Sequence, residues 1–409
     1  MKVGSAVKRG LGFFARQEET FKINLLRVSA QNFFLTLSQQ YESLYIVALG
    51  ATPLQLGMIN GIGGVAGAIT AAPTGWLADK YGTRKILLLA TSLLALGALI
   101  FAFAPDWTVI VPAMFITTLT YRTVMTVCPI ICGSCLRDEE RATGMQLCDT
   151  LSSAPNLIAP IVAALMIARF GGISVEGVSP LYYLKFLGFS LIFILILKMF
   201  RDPEKKQEER VTSGFLEGLR QVNSEGEAVR RWIIIISLST VPLSINTVYL
   251  PLFAAEVKSA DQFVLGAMGA ASTIIPLCLS IVAGRLADTL GRKKVIYVTT
   301  PIYCLSILLL VYAPNTAALF VSGILQGFYM VAVVTQGAMT TELVPTHLLG
   351  RWYGILGFFR GSIMVIAPVL SGFIWAALGP EYVFFFIILT ELSKLLMLAT
   401  IPETLGNRS

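Results

Sequence analysis

The sequence predicts an all-α membrane protein whose 12 transmembrane helices form two six-helix pseudo-symmetric bundles. Three observations carry this. First, 55% of the 409 residues are hydrophobic and 13% are charged, whereas a soluble domain averages about 25% charged residues. Second, the apolar residues come in blocks of roughly 20, the length that crosses a bilayer core of about 30 Å. A chain built of large soluble cores would need amphipathic helices with polar faces, and those are missing. Third, a charged turn, Gly75-Trp-Leu-Ala-Asp79-Lys-Tyr-Gly82-Thr-Arg84-Lys85, returns as Gly284-Arg-Leu-Ala-Asp288-Thr-Leu-Gly291-Arg292-Lys293-Lys294. Asp79 and Asp288 are 209 positions apart, close to half the chain, so the chain reads as two similar halves.

Taken in order, residues 1–21 lack the apolar core and small-residue cleavage site of a signal peptide. Lys2, Lys8, Arg9 and Arg16 alternate with Val7, Leu11, Phe13 and Phe14, which suits either a short helix on the inner leaflet or a disordered segment. Six spans follow near 24–48, 54–78, 85–104, 107–134, 142–168 and 181–200, and six more near 231–254, 263–286, 294–313, 316–342, 352–378 and 381–401. Domain boundaries are expected at 1–200, 201–230 and 231–409. The middle segment is a polar linker in which Phe215, Leu216, Leu219 and Val222 have helical spacing. Loops after the even spans hold Lys80, Arg84, Lys85, Arg137, Arg141, Arg201, Arg231, Arg292, Lys293, Lys294 and Arg351. The opposite loops offer Arg169, Lys185 and Lys258. By the positive-inside rule both termini are cytoplasmic, as an even number of spans also requires.

The repeat extends past the turn. Leu56-Gly57 matches Leu265-Gly266, Ala104-Pro105 matches Ala313-Pro314, Arg141-x-x-Gly144 matches Arg351-x-x-Gly354, and Ala159-Pro160 matches Ala367-Pro368. Twelve spans in two halves, with G-x-L-A-D-x-x-G-x-[RK]-[RK] after spans two and eight, resemble the major facilitator superfamily over essentially the whole chain. The resemblance implies alternating access, with two bundles rocking about a site near the midplane.

The turn also has a direct physical reading. Gly75 and Gly284 permit close helix contact, Gly82 and Gly291 permit positive φ, and Asp79 and Asp288 sit where a carboxylate can face another helix's N-terminus. The family implies that Asp79 faces span eleven near Arg351 and Asp288 faces span five near Arg141. Arg84 would then pair with Asp138-Glu139-Glu140 and Lys293 with Glu342, latching the cytoplasmic face. Ordinary positive-inside topology explains the lysines and arginines equally well. Two departures from the family pattern stand out. Span five reads Ala159-Pro160-Ile-Val-Ala163-Ala164 without its glycines, and the arginine the family often places early in span four is absent, its expected place falling near Met114.

Charges inside spans are costly and mark candidate transport residues. Arg122 lies roughly 20 Å into span four and Asp149 about 12 Å into span five. Arg360 is nearly the repeat-mate of Asp149, and Glu42 follows the polar run Ser38-Gln39-Gln40-Tyr41. Glu391 and Lys394 are i,i+3 neighbours that can pair. In one reading Glu42 or Asp149 carries a proton. In a second, Arg122 and Arg360 bind an anion. In a third, Arg122 and Asp149 form a permanent internal salt bridge. Ser239, Pro242, Ser244, Asn246, Thr247 and Tyr249 in span seven, with Gln326, Tyr329 and Gln336 in span ten, suit a cavity wall. Phe33 and Phe34 suit packing or a flat solute. Pro242 and Pro251 would let span seven bend.

Cys132-Gly-Ser-Cys135 has redox or metal spacing, but no second pair or histidine cluster accompanies it, so the six cysteines read as structural thiols. His347, the single histidine, lies in a loop. No G-x-x-x-x-G-K-[ST] loop is present, so the energy source is a gradient rather than ATP. No nucleophile–base or metal constellation supports an enzyme. The expected function is secondary transport of a small organic solute, led by proton-coupled efflux of amphipathic compounds, with symport of organic anions as the alternative. The expected partners are the solute, protons and the bilayer of the plasma or inner membrane. No cofactor or nucleic acid is expected, and the chain is expected to be a monomer.

Overall fold

The computed structural model of the protein describes residues 19–70, 80–136, 141–200, 226–345 and 348–403. Among these residues are fourteen α-helices and one short 3-10 turn. In the N-terminal half they are α1 (Glu19–Gln39), α2 (Glu42–Ala48), α3 (Pro53–Thr70), α4 (Thr83–Ala102), α5 (Trp107–Cys135), α6 (Arg141–Ser153), a 3-10 turn (Ala154–Leu157), α7 (Ala159–Arg169) and α8 (Val175–Met199). In the C-terminal half they are α9 (Glu227–Glu256), α10 (Gln262–Leu290), α11 (Arg292–Val311), α12 (Thr316–Glu342), α13 (Leu349–Ala377) and α14 (Pro380–Ala399). Each of the 12 expected spans is helical in its described residues, apart from the breaks noted below, and the fold is two six-helix bundles. Among the described residues, ten stretches are long and apolar enough to cross a membrane, and α1 and the described part of α3 are not among them.

Helix starts differ by face. At one end of the molecule, Asp106, Ser174, Asp261 and Asn315 cap α5, α8, α10 and α12 by accepting from Thr108, Gly177, Val264 and Ala318 amides at 2.8, 3.1, 2.8 and 2.9 Å. At the other end, which carries the charged turns, α4 and α11 start directly after Gly82 and Gly291, at φ +88° and +108°. The ends are called the capped face and the basic face below.

Two expected spans are not single helices. Span one breaks at Gln40–Tyr41, and span five breaks over Ala154–Leu157, where Pro155 lacks an amide donor. Span one repairs span five. Asn32 Nδ2 donates to Ser152 O at 2.9 Å, and Thr36 Oγ1 to Asn156 Oδ1 at 2.9 Å, so the freed backbone finds partners inside protein. Span seven, by contrast, stays helical through Pro242 and Pro251.

The two halves share one core at the capped face and have separate cores at the basic face. The shared cluster joins Leu37, Tyr45, Ile59 and Ile110 to Ile245, Phe253, Leu265 and Phe384. Nearer the basic face, one cluster holds Leu25, Leu87, Val127 and Ile192 from the N-terminal half. Another holds Trp232, Ile296, Met339 and Trp352 from the C-terminal half. Across the interface α3 packs on α13, and α10 packs on α7 and the 3-10 turn. Small residues allow the approach: a Cβ on Gly61 would sit 2.9 Å from Val369, and one on Gly64 2.9 Å from the Met364 backbone. Gly284, Gly354 and Gly357, nearer the basic face, meet nothing within 4 Å. Among the described residues, the halves share a core at the capped face and pack into separate clusters nearer the basic face.

Candidate functional site

A cavity of about 410 Å³ lies between the halves. Two arginines line it from opposite sides. Arg122 comes from α5 and Arg360 from α13, close enough for their charges to repel. Gly67 makes room for the first: the Arg122 stem lies against it, 3.3 Å from where a Cβ would be. Arg122 Nη2 reaches Met364 Sδ across the interface at 2.6 Å. Ser239, Tyr329 and Gln336 supply polar wall, and Met125, Leu243 and Val333 supply apolar wall. Tyr329 is fixed, its hydroxyl donating to Ser239 O at 2.5 Å. Ser239 Oγ and Gln336 Nε2 are buried without a hydrogen-bond partner. No aspartate or glutamate is among the described lining residues. The wall is thus rich in donors and cations and poor in acceptors, and such a wall suits a solute with anionic oxygens.

Towards the capped face a pair of tyrosines bridges the halves, and the repeat relates them. Tyr41, at the break in span one, donates to Gln262 O (2.8 Å) and approaches Pro160 O (3.5 Å). Tyr249, its repeat-mate in α9, donates to Pro53 O (3.0 Å) and Pro368 O (2.8 Å). Each hydroxyl joins a proline carbonyl of its own half to the first turn of a helix in the other half. Glycines leave room for both hydroxyls: a Cβ on Gly266 would sit 3.0 Å from Tyr41 Oη, and one on Gly57 2.6 Å from Tyr249 Oη.

Several expected site residues lie elsewhere. Arg122 and Asp149 are not brought together: Asp149 is exposed on α6, while Arg122 lines the cavity between the halves. The internal salt bridge between them is therefore corrected, because the two side chains occupy different surroundings. Asn246 is not on the cavity wall; its Nδ2 donates to Tyr303 Oη at 2.7 Å inside the C-terminal bundle. Gln326 also lies off it, donating to Ser322 Oγ at 3.2 Å. Glu42 starts α2 and faces Lys185. Lys185 is no loop residue, contrary to the loop count. It is buried in α8, where Nζ donates to Ser38 Oγ at 2.8 Å. Its repeat-mate, Lys394, is equally buried and pairs with Glu391. Phe34 packs on Phe189 and Gly188 rather than facing a solute.

The expected latch is only partly described, since Gly75, Asp79, the acidic run 138–140 and His347 lie outside the described residues. Asp288 is exposed and pairs with Arg292, one turn on, at 2.7 Å rather than with span five. Arg292, not Lys293, meets Glu342, at 2.9 Å. Lys293 Nζ instead donates to Ile401 O at 2.5 Å, and Glu403 accepts from the Arg292 and Lys293 amides, both at 3.1 Å. Arg84 Nη2 donates to Leu197 O at 2.6 Å. Each of these bonds joins residues of one half.

Comparison with known proteins agrees with this architecture. The model of the Major Facilitator Superfamily matches residues 24–275 and 234–405. An uncharacterized MFS-type transporter of Methanocaldococcus jannaschii is 26% identical over 357 residues, covering 82% of this chain and 86% of that protein. An uncharacterized MFS-type transporter of Mycobacterium tuberculosis is 31% identical over 127 residues, which is 31% of this chain but only 18% of that protein. Among solved structures, the nucleoside transporter NupG superposes with a TM-score of 0.73 at 15% identity, covering 94% of this chain and 99% of that one. A POT family transporter in complex with 5-aminolevulinic acid gives 0.73 at 14% identity, covering 93% and 95%. Identities this low speak for the fold alone. With two matched regions that together run from residue 24 to residue 405, the chain belongs to the Major Facilitator Superfamily.

Proposed function

We propose that this transporter of small solutes carries an organic anion, such as a carboxylate or phosphate ester with an apolar body, across the cell membrane by alternating access. One observation carries the reading: Arg122 and Arg360, from opposite halves, line a single cavity with no described carboxylate on its wall. An anion there offsets the repulsion between the guanidinium groups and ties the two halves together. That is what a carrier needs to couple binding to closure. Ser239 Oγ and Gln336 Nε2 add unpartnered donors, and the methionines and Val333 accept the apolar body. A cationic drug would meet two like charges, so efflux of cationic amphipathic compounds ranks below anion transport. We place the basic face in the cytoplasm from its lysines and arginines; the conformation is then open inward. Proton coupling through Glu42 or Asp149 stays part of the proposal.

The test is a thermal-shift and binding screen of the purified protein with matched anionic, neutral and cationic solutes. A charge-assisted hydrogen bond contributes about 1.5–3 kcal/mol. Arg360→Gln should therefore weaken an anionic hit about 10- to 150-fold while leaving a neutral isostere nearly unchanged. Equal losses for both, or hits confined to cations, would overturn the reading.

A further inference from the structure

Gln336 in α12 is 1% exposed and Ser239 in α9 is 4% exposed, and both border the cavity between the halves. Gln336 Nε2 and Ser239 Oγ are buried donors without a hydrogen-bond partner. A buried donor that has given up its water must find an acceptor or destabilise the fold. Gln336 is not left so by looseness. Thr340 Oγ1 donates to Gln336 O at 2.7 Å and accepts from Trp232 Nε1 at 3.0 Å, while Trp352 Nε1 donates to Thr340 O at 2.9 Å. Trp232 and Trp352 are fully buried, so α9, α12 and α13 are tied together one turn from Gln336.

The same bonds set heights along the cavity. α9 and α13 run from the basic face to the capped face, and α12 runs the other way. Towards the capped face, Gln336 lies four residues from Thr340, Ser239 seven from Trp232 and Arg360 eight from Trp352. At a helical rise of about 1.5 Å per residue, Gln336 stands roughly 6 Å above the tryptophans, and Ser239 and Arg360 roughly 10–12 Å above them. The cavity wall therefore has a charged level at Arg360 and, roughly 6 Å nearer the basic face, a neutral donor at Gln336. Ser239 joins the two levels.

We infer that the solute is bifunctional: besides its anionic group it carries a neutral carbonyl oxygen, which accepts from the Gln336 amide and the Ser239 hydroxyl. The inference rests on the anion reading above and names the other end of the same solute. A carbonyl oxygen has two lone pairs and can accept from both donors at once. Rotation about their terminal side-chain torsions brings both donors to the lumen. A second carboxylate at this level would be buried on neutral donors alone, which is costly. A purely apolar tail would pass the two donors and leave them unsatisfied, so a solute without the carbonyl is rejected. Gln336 and Ser239 therefore select among anions, while Arg122 and Arg360 select for them. Thr340 and the two tryptophans position Gln336 without touching the solute.

The experiment measures binding of phenylvalerate, benzoylbutyrate and benzoylbutyramide to the full chain in nanodiscs by calorimetry. The first two are anions that differ by one carbonyl oxygen, and the third is uncharged. Two neutral hydrogen bonds should make benzoylbutyrate bind about 5- to 150-fold more tightly than phenylvalerate. In Gln336→Leu that preference should fall to about 2- to 12-fold, and in Ser239→Ala/Gln336→Leu it should vanish, the loss falling on benzoylbutyrate. Ser239→Ala alone deletes a single oxygen and gives the same fall in preference should Gln336→Leu misfold. Equal affinity of the two anions for the unaltered protein overturns the inference, as do variants that weaken both anions alike. Failure of both anions to bind the unaltered protein overturns it too. The anion reading fails separately, if benzoylbutyramide binds as tightly as benzoylbutyrate or if Arg360→Gln leaves both anions unaffected.

Discussion

Replacing both bridging tyrosines with phenylalanine should release the capped face. Each substitution keeps the ring and removes one shared O–H. The bonds lost between halves are Tyr41 to Gln262 O (2.8 Å) and Tyr249 to Pro53 O (3.0 Å). The acceptors are helical carbonyls that keep other partners, so the loss is close to one net hydrogen bond, about 1 kcal/mol each. The two hydroxyls bond different carbonyls and share no partner, so the effects should add to about 2 kcal/mol. That is roughly a 5-fold shift toward the capped-face-open state for each single variant and about 30-fold for the double. A minor state populated at about 1% would rise to about 20%. Spin labels at Phe103→Cys and Tyr312→Cys, both exposed at the capped face, report the opening in a Cys278→Ser background. A distance distribution unchanged in the double variant would refute the clasp. So would a response confined to one tyrosine, since the repeat makes the two equivalent.

Other outcomes follow from the same contacts. Gly57→Ala would overlap Pro368 O and come within 2.6 Å of Tyr249 Oη, so it should lower thermal stability and favour opening at the capped face; Gly354→Ala, which meets nothing within 4 Å, should leave both unchanged. Lys185→Met should cost about 1–3 kcal/mol in thermal unfolding, because it removes the buried ammonium that donates to Ser38 Oγ, and a cost indistinguishable from zero would refute that bond's role.

How much of this was legible in the sequence depended on the range of each interaction. Helices, turns and the repeat are set by local pattern, and the spans and the positive φ of Gly82 and Gly291 could be read directly. Arg122 and Arg360 could be picked out because a charge in an apolar run is conspicuous. Their meeting across the interface could be proposed but not placed. Asn246 and Gln326 misled because polarity in a span does not say which face of the helix it occupies, and both turned into their own bundle. Lys185 was counted with the loops although it falls inside the expected span six, and α8, which starts at Val175, carries it well inside the helix. The break in span five depends on donors from Asn32 and Thr36, more than a hundred positions away, and no local pattern announces that. Tyr41 and Tyr249 were visible as repeat-mates only once their acceptors were known.

The composition of α1 bears on how the protein is made. With Lys22, Asn24, Arg27, Gln31 and Asn32 it falls outside the stretches apolar enough to cross a membrane unaided. Arg27 sits near the start of span one, where an arginine opposes insertion by less than the about 2.5–3.5 kcal/mol it costs at a helix centre. The cysteines beside its partner Asn24 lie about a hundred residues downstream, Cys128 being 104 positions after Asn24. At about 5–20 residues per second of synthesis, that interval lasts on the order of 5–20 s. Until α5 and α6 arrive, the first helix lacks neighbours that bury Arg27 in the finished bundle, so its final seating should come late in synthesis.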